Sequence, residues 1–200
     1  ERMKIRLGQE WEAFLEACSL PPKRGLRLNL QKAEANPDFP LEKWKENWKL
    51  EELKSESLKL ENSKNEYGLA LAREYLCDEE YLQSIGVQIG HDAYHEAGLY
   101  YIQDPSAMSV VPYMEIRPFD RCLDLCASPG GKSLQMADRL KTEEGGILLS
   151  NEFIMERAKN LSKNVERMGY SHVAVSSCSA EELEAQFPAF FSRILVDAPC

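Results

Sequence analysis

Two hundred residues, 44% hydrophobic and 28% charged, allow one large or two small globular domains and exclude a disordered or collagen-like chain. No stretch approaches the roughly 18 uncharged apolar residues of a bilayer-crossing helix. No apolar signal-peptide core follows Glu1-Arg2-Met3-Lys4, so a cytoplasmic protein without a membrane partner is expected. The balance of 24 Lys and Arg against 33 Asp and Glu, a net charge of −9, argues against gripping nucleic acid by bulk electrostatics and leaves room for a local basic groove. Six cysteines without paired spacing read as reduced thiols.

In chain order, Trp11, Phe14, Leu15 and Cys18 fall at helical spacing, Pro21-Pro22 breaks that helix, and Leu26-Arg27-Leu28-Asn29-Leu30 alternates like a short strand. These signals predict a small packed unit over 1–95. Within it, residues 36–66 run through Lys, Glu, Asn and Ser with Trp44, Trp48, Leu50, Leu53, Leu58 and Leu60 interspersed. Such a run predicts a solvated, partly helical insertion, with RNA bases or a partner as the alternative destination of the two tryptophans.

From Gly98 onward strand and helix alternate. Arg121 to Leu125 reads as a strand, Cys126 to Lys132 as a Gly/Pro loop, and Ser133 to Leu140 as a helix with one apolar face. Ile147 to Ser150 follows as a strand, then Phe153 to Met168 as a helix with Ala158, Leu161, Val165 and Met168 at steps of three and four. Val173 to Val175 and Ile194 to Val196 supply two more strands around a helix near Ala180 to Phe187. The alternation predicts an α/β domain over 96–200, with parallel strands, right-handed crossovers and a ligand outside the carboxyl ends of the strands. An apolar strand directly before the last residue predicts a longer protein of which this is part.

The loop Asp124-Leu125-Cys126-Ala127-Ser128-Pro129-Gly130-Gly131-Lys132-Ser133 carries the chemistry. Adjacent glycines before a helix let backbone amides approach a carboxylate or phosphate. A triphosphate loop needs its first glycine where Cys126 stands, and a dinucleotide loop needs G-x-G-x-x-G, so both patterns fail. An adenosyl ligand without phosphates remains, with Glu152, about 20 residues on and just past the next strand, placed to bind ribose hydroxyls. The alternative is that Glu152 favours the start of the following helix.

Asp124 to Ser133, Asn151-Glu152 and Asp197-Ala198-Pro199-Cys200, in that order and spacing, resemble the RNA cytosine-5 methyltransferases of the NOL1/NOP2/Sun family, the bacterial ribosomal-RNA branch above all. Tyr100 to Met108 is similar to the segment before the catalytic core there, and Leu26-Arg27-Leu28-Asn29 to the Arg-x-Asn strand of the family's N-terminal RNA-facing domain. The likeness runs from His95 to Cys200. It implies a Rossmann-like methyltransferase sheet, incomplete because its C-terminal strands are absent, preceded by a small α+β N-terminal domain. It further implies S-adenosyl-L-methionine as cofactor, held at the methionine end by Cys126, Ala127, Ser128, Pro129, Gly130, Gly131 and Lys132 and at the ribose by Glu152. The family's third acid falls on Ser179, which can hydrogen-bond but carries no charge. Gln103, Asp104 and Ser106 would line the target-base pocket, Arg27 and Asn29 would face RNA, and Asp197 would stand between cofactor and base. The partner implied is structured RNA, 16S ribosomal RNA or the small subunit, acted on by a monomer.

Chemistry explains the tetrapeptide. Carbon 5 of cytosine is too poor a nucleophile to attack a sulfonium methyl until a thiolate adds to carbon 6. A hydrogen-bonding acid near ring nitrogen 3, here Asp197, stabilises the developing charge, and a base then removes the carbon 5 proton. The resemblance assigns Cys200 to product release and the attacking thiol to a later strand beyond it, so residues 1–200 are not expected to complete the reaction alone. Lys132 has three candidate partners: the cofactor carboxylate, an RNA phosphate or a nearby acid. Cys122 and Cys126 read as core thiols, and with His91, His95 and His172 they offer no metal-ligand spacing. The alternatives are a non-catalytic RNA- or cofactor-binding protein on the same fold and a nicotinamide-dependent oxidoreductase.

Overall fold

The computed structural model describes residues 2–19, 23–36, 39–53 and 74–198, which form an antiparallel and a parallel sheet of four strands each. The chain begins with α1 (Arg2–Leu7) and α2 (Trp11–Ser19), joined by a single 3-10 turn. It continues through β1 (Arg24–Leu28), α3 (Leu30–Ala35), α4 (Leu41–Asn47), β2 (Glu51–Glu52), β3 (Glu74–Cys77), α5 (Glu79–Ser84), α6 (Ala93–Glu96) and β4 (Tyr100–Gln103). After α7 (Pro105–Met108) come β5 (Arg121–Asp124), α8 (Gly131–Ala137), β6 (Ile147–Asn151), α9 (Met155–Met168), β7 (Val173–Ser176), α10 (Ala180–Gln186) and β8 (Arg193–Leu195). No helix among the described residues is long and apolar enough to cross a membrane.

The first sheet has the order β2-β3-β1-β4, every pair antiparallel. Its membership moves the change of sheet past the predicted boundary at residue 95, because Tyr100–Gln103 pairs with β1. Tyr100 is fully buried in the first core, so this strand cannot be detached from it. The predicted solvated insertion is corrected as well, for its described part. Trp44 and Trp48 are 3% and 6% exposed and pack in a cluster of rings with Phe39, Tyr75, Tyr94 and Tyr100. A charged run read as solvated therefore hides one apolar face of α4, and neither indole is free to stack on a base. Leu58 and Leu60 lie outside the described residues. The N-terminal helix differs in the opposite sense: α1 and α2 bury no residue, and Phe14 and Leu15 are exposed, so they add nothing to either core.

The second sheet has the order β7-β6-β5-β8, all parallel, as strand-helix alternation requires. Its core is fed by α9, whose Ala158, Leu161, Val165 and Met168 are buried at the predicted steps, and by α8, whose Leu134, Met136 and Ala137 are fully buried.

The two sheets meet through polar groups. The Asn29 Nδ2 donates to the carbonyls of Gly98 at 3.1 Å and Met168 at 2.8 Å, and the Lys32 Nζ donates to those of Ala97 and Arg167, each at 2.7 Å. Two of these carbonyls, those of Arg167 and Met168, end α9, where no intrahelical partner exists. Gly98 permits the approach: a Cβ there would stand 2.0 Å from the Arg167 carbonyl oxygen. Replacing Trp44 by alanine is expected to cost about 3–5 kcal/mol of stability, read as a shift in urea midpoint. A solvated tryptophan would cost less than about 0.5 kcal/mol.

Candidate functional site

The turn between β5 and α8 lies at the carboxyl ends of the parallel strands, where ligands bind in open α/β sheets. It lines a cavity of about 240 Å³ with Asp124, Cys126, Ala127, Ser128, Pro129, Gly131 and Lys132 on one side. Asp197 joins them from the end of β8, and Tyr101 to Asp104 with Ala107 close the cavity from the antiparallel sheet and the helix after it. The site thus belongs to both sheets.

The turn is held by its carbonyls. The Arg157 Nη2 donates to the Ser128 carbonyl at 3.2 Å, Asn164 to that of Pro129 at 2.8 Å, and the Arg27 Nη1 to that of Gly131 at 2.9 Å. Because a trans peptide is planar, a carbonyl bonded away from the cavity turns the following N–H the opposite way, which applies to Gly130 and Lys132. Gly130 itself has φ +112°, a region open to glycine alone, and a Cβ would press within 3.0 Å of the Leu161 side chain. Asn151, at the end of β6, staples the neighbouring strand ends. Its Nδ2 donates to the carbonyls of Leu125 and Cys178, its Oδ1 accepts from Ser176 and the Cys178 amide, and its own carbonyl accepts from the Ala127 amide.

Charge in the cavity is uneven. Asp124 is 1% exposed; one of its oxygens accepts from the Ser133 hydroxyl at 2.7 Å, while Oδ1 is buried without a hydrogen-bond partner. Burial pushes its carboxyl up to about 6, against the pull of the Ser133 hydroxyl, the Cys126 amide and Lys132. An unmatched acceptor at the cavity wall calls for a donor from a ligand, preferably a cationic one. Lys132 is paired with Asp197, the nearby acid among its candidate partners, Nζ to Oδ2 at 2.6 Å. Partial burial and the carboxylates of Asp124, Glu152 and Asp197 push the Cys126 thiol up, which makes it a poor nucleophile near neutral pH. Burial pushes Cys122 up to about 12, an inert core thiol.

The predicted site residues divide. Cys126, Ala127, Ser128, Pro129, Gly131, Lys132, Asp197, Gln103 and Asp104 come together around the cavity. Glu152 is buried beside it rather than lining it: Oε1 accepts from the Ile154 amide at 3.0 Å, and Oε2 lies 3.4 Å from the Arg157 guanidinium. Ser179 stands apart, its hydroxyl accepting from the Glu182 amide in a capping box that starts α10. Ser106 is exposed and bonds back to Asp104, whose carboxyl these bonds hold below the usual range. Pro199 and Cys200 lie outside the described residues.

Two assignments are corrected. Arg27 and Asn29 are 0% and 1% exposed, and both point between the sheets, not toward RNA. Strand alternation gives the side on which a side chain leaves, and that side is covered by α8 and α9. Gln103 also changes character: its Oε1 accepts from Arg27 and its Nε2 donates to Gln135, so it offers the cavity shape rather than free hydrogen bonds. The sequence reading left out Tyr101 and Asp124 as site residues. The acid ending β5, directly before the glycine turn, was the available signal for Asp124.

Residues 111–200 match the family model described as 16S rRNA methyltransferase RsmB/F. Ribosomal RNA small subunit methyltransferase F of Citrobacter koseri is 33% identical over 192 residues, covering 95% of this chain and 36% of that protein. The corresponding protein of Vibrio parahaemolyticus is 30% identical over 195 residues, covering 94% and 36%. The chain therefore spans 36% of the length of these curated relatives. A crystal structure of a methyltransferase homolog protein from Pyrococcus horikoshii superposes with a TM-score of 0.65 at 22% identity, over 92% of this chain and 53% of that one. That likeness establishes the Rossmann-like methyltransferase fold.

A carboxyl whose folded value is raised stabilises the fold below its unfolded value and loses that contribution as pH rises through the folded value, here about 6. Between about pH 4 and pH 7 the protein is expected to lose on the order of 2–3 kcal/mol relative to Asp124→Asn, measured by urea unfolding across that range. Parallel pH profiles for the two proteins would show that Asp124 does not titrate there.

Proposed function

We propose, for a chain whose residues 111–200 match the family model described as 16S rRNA methyltransferase RsmB/F, that its cavity is the donor end of an S-adenosylmethionine-dependent site acting on carbon 5 of a cytosine in 16S ribosomal RNA. The observation that carries the reading is the joining, in one cavity, of the pinned glycine turn, the unmatched Asp124 oxygen and the Lys132–Asp197 pair. When bound, the cofactor supplies a methyl group on a sulfonium. The fit is chemical: Asp124 offers an acceptor to an ammonium, the amides of the turn suit a carboxylate, and Glu152, close behind, can take ribose hydroxyls once it gives up the Ile154 amide.

The chain's own residues then orient and tune. Asp197 is the partner of ring nitrogen 3 and must carry a proton to donate as charge develops there. Lys132 occupies the Asp197 carboxylate at 2.6 Å, so entry of the base has to draw the two apart. The exposure of Asp197, at 57%, allows this, and a pair so open to water on one side is worth little in stability. Tyr101 and the aliphatic part of Gln103 exclude water on the far wall. In this proposal Cys200 releases the product, the thiol that adds to carbon 6 belongs to another part of the full-length protein, and the enzyme works as a cytoplasmic monomer on free RNA or small subunits.

The full-length protein, given radiolabelled donor and 16S ribosomal RNA, is expected to place label in 5-methylcytosine, identified by nucleoside mass spectrometry. Asp197→Ala should lower kcat by about 100-fold or more with donor binding retained. Label on another base overturns the assignment. Donor bound without transfer favours the alternative, a non-catalytic cofactor-binding protein.

A further inference from the structure

We infer that Arg27, on the central strand of the antiparallel sheet, is a positioning residue for the donor turn: it sets the Gly131 peptide and thereby the affinity of the site for S-adenosylmethionine. The inference rests on the donor reading above. β1 runs between β3 and β4, with Arg27 opposite Glu74 on one side and Tyr101 on the other. Its guanidinium is fully buried and touches three residues on two elements, α8 and β4. The Nη1 donates to the Gly131 carbonyl at 2.9 Å and to the Gln103 Oε1, and the Nε lies 2.9 Å from the Asp138 Oδ2. Tyr170, after α9, donates its hydroxyl to the same Asp138 carboxylate.

Gly131 and Asp138 are seven residues apart, two turns along α8, so both fall on the helix face turned to β1. One rigid guanidinium therefore holds α8 at its first residue and at its C-cap. The Gln103 side chain packs against this residue: a Cβ on Gly131 would stand in van der Waals contact with it at 3.4 Å. Peptide planarity passes the hold on, because the Lys132 N–H must point opposite to the Gly131 carbonyl that Arg27 bonds. Gly131, Lys132 and Gln103 all line the cavity, so a change in the Gly131 peptide changes its wall. A small alkyl or a single ammonium in place of the guanidinium cannot serve Gly131, Gln103 and Asp138 together.

The test separates positioning from mere stability. In the full-length protein, Arg27→Met and Arg27→Lys are compared with Tyr170→Phe, which weakens the same buried cluster but touches neither the turn nor Gln103. Thermal unfolding gives the stability loss of each, and isothermal titration with S-adenosylmethionine gives Kd. Loss of a charge-assisted bond that shapes the turn is expected to raise Kd about tenfold in both Arg27 variants. Tyr170→Phe should lower Tm yet hold Kd within about twofold. Wild-type Kd in the Arg27 variants, or an equal rise in Tyr170→Phe, overturns the inference and leaves the donor reading intact. Absence of donor binding by the wild-type protein overturns both. If Arg27→Met does not fold, Arg27→Lys, which keeps the charge opposite Asp138, carries the comparison alone.

Discussion

A guanidinium that water cannot reach has to find its counter-charge and acceptors inside the protein, because an unmatched buried charge costs about 3–5 kcal/mol, a large share of the net stability of a domain. Arg27 imposes that constraint here. Its partners are drawn from the turn, from the end of α8 and from β4, which is why an antiparallel sheet and a parallel sheet with separate apolar cores behave as one site-forming unit. Burial pushes the Asp138 carboxyl up while Arg27 pulls it down, and Tyr170 closes the remaining side of that carboxylate. Asn29 and Lys32 complete the junction by capping the carbonyl end of α9.

The turn illustrates a division of labour between backbone and side chains. Its carbonyls are taken by Arg157, Asn164 and Arg27 from behind, which leaves amides, a glycine-rich surface and the Asp124 carboxylate to face the cavity. Arg157 also faces Glu152, so the grip on the turn and the charge of the acid beyond β6 are linked through one side chain. The Lys132–Asp197 pair, open to water on the Asp197 side, works differently. It contributes little to folding and holds two opposite charges at the mouth of the cavity.

Much of the second sheet was legible because periodicity is a local property. The α9 positions Ala158, Leu161, Val165 and Met168, and the four strands around them, announce themselves in windows of a few residues. The glycine turn was legible for a related reason: conformational freedom at Gly130 is a property of one residue. The failures share a cause. Trp44 and Trp48 sit in a charged run whose apolar face is only two residues wide, and the rings that cover them come from Tyr75, Tyr94 and Tyr100, distant in the chain. Conversely, Trp11, Phe14, Leu15 and Cys18 show helical spacing, and the helix forms, yet no core accepts it.

Residue order alone thus settled which segments coil, which extend, where the chain can turn sharply, and which acids follow strand ends, since each depends on neighbours within a turn or a pleat. Assembly in space settled the direction in which Arg27 and Asn29 point, the sheet to which Tyr100–Gln103 belongs, and the approach of Lys132 to Asp197. Those outcomes depend on desolvation and on charges brought together across 65 or more residues of chain, as Lys132 and Asp197 or Arg27 and Gly131 are. No local window contains the group that a buried charge will meet.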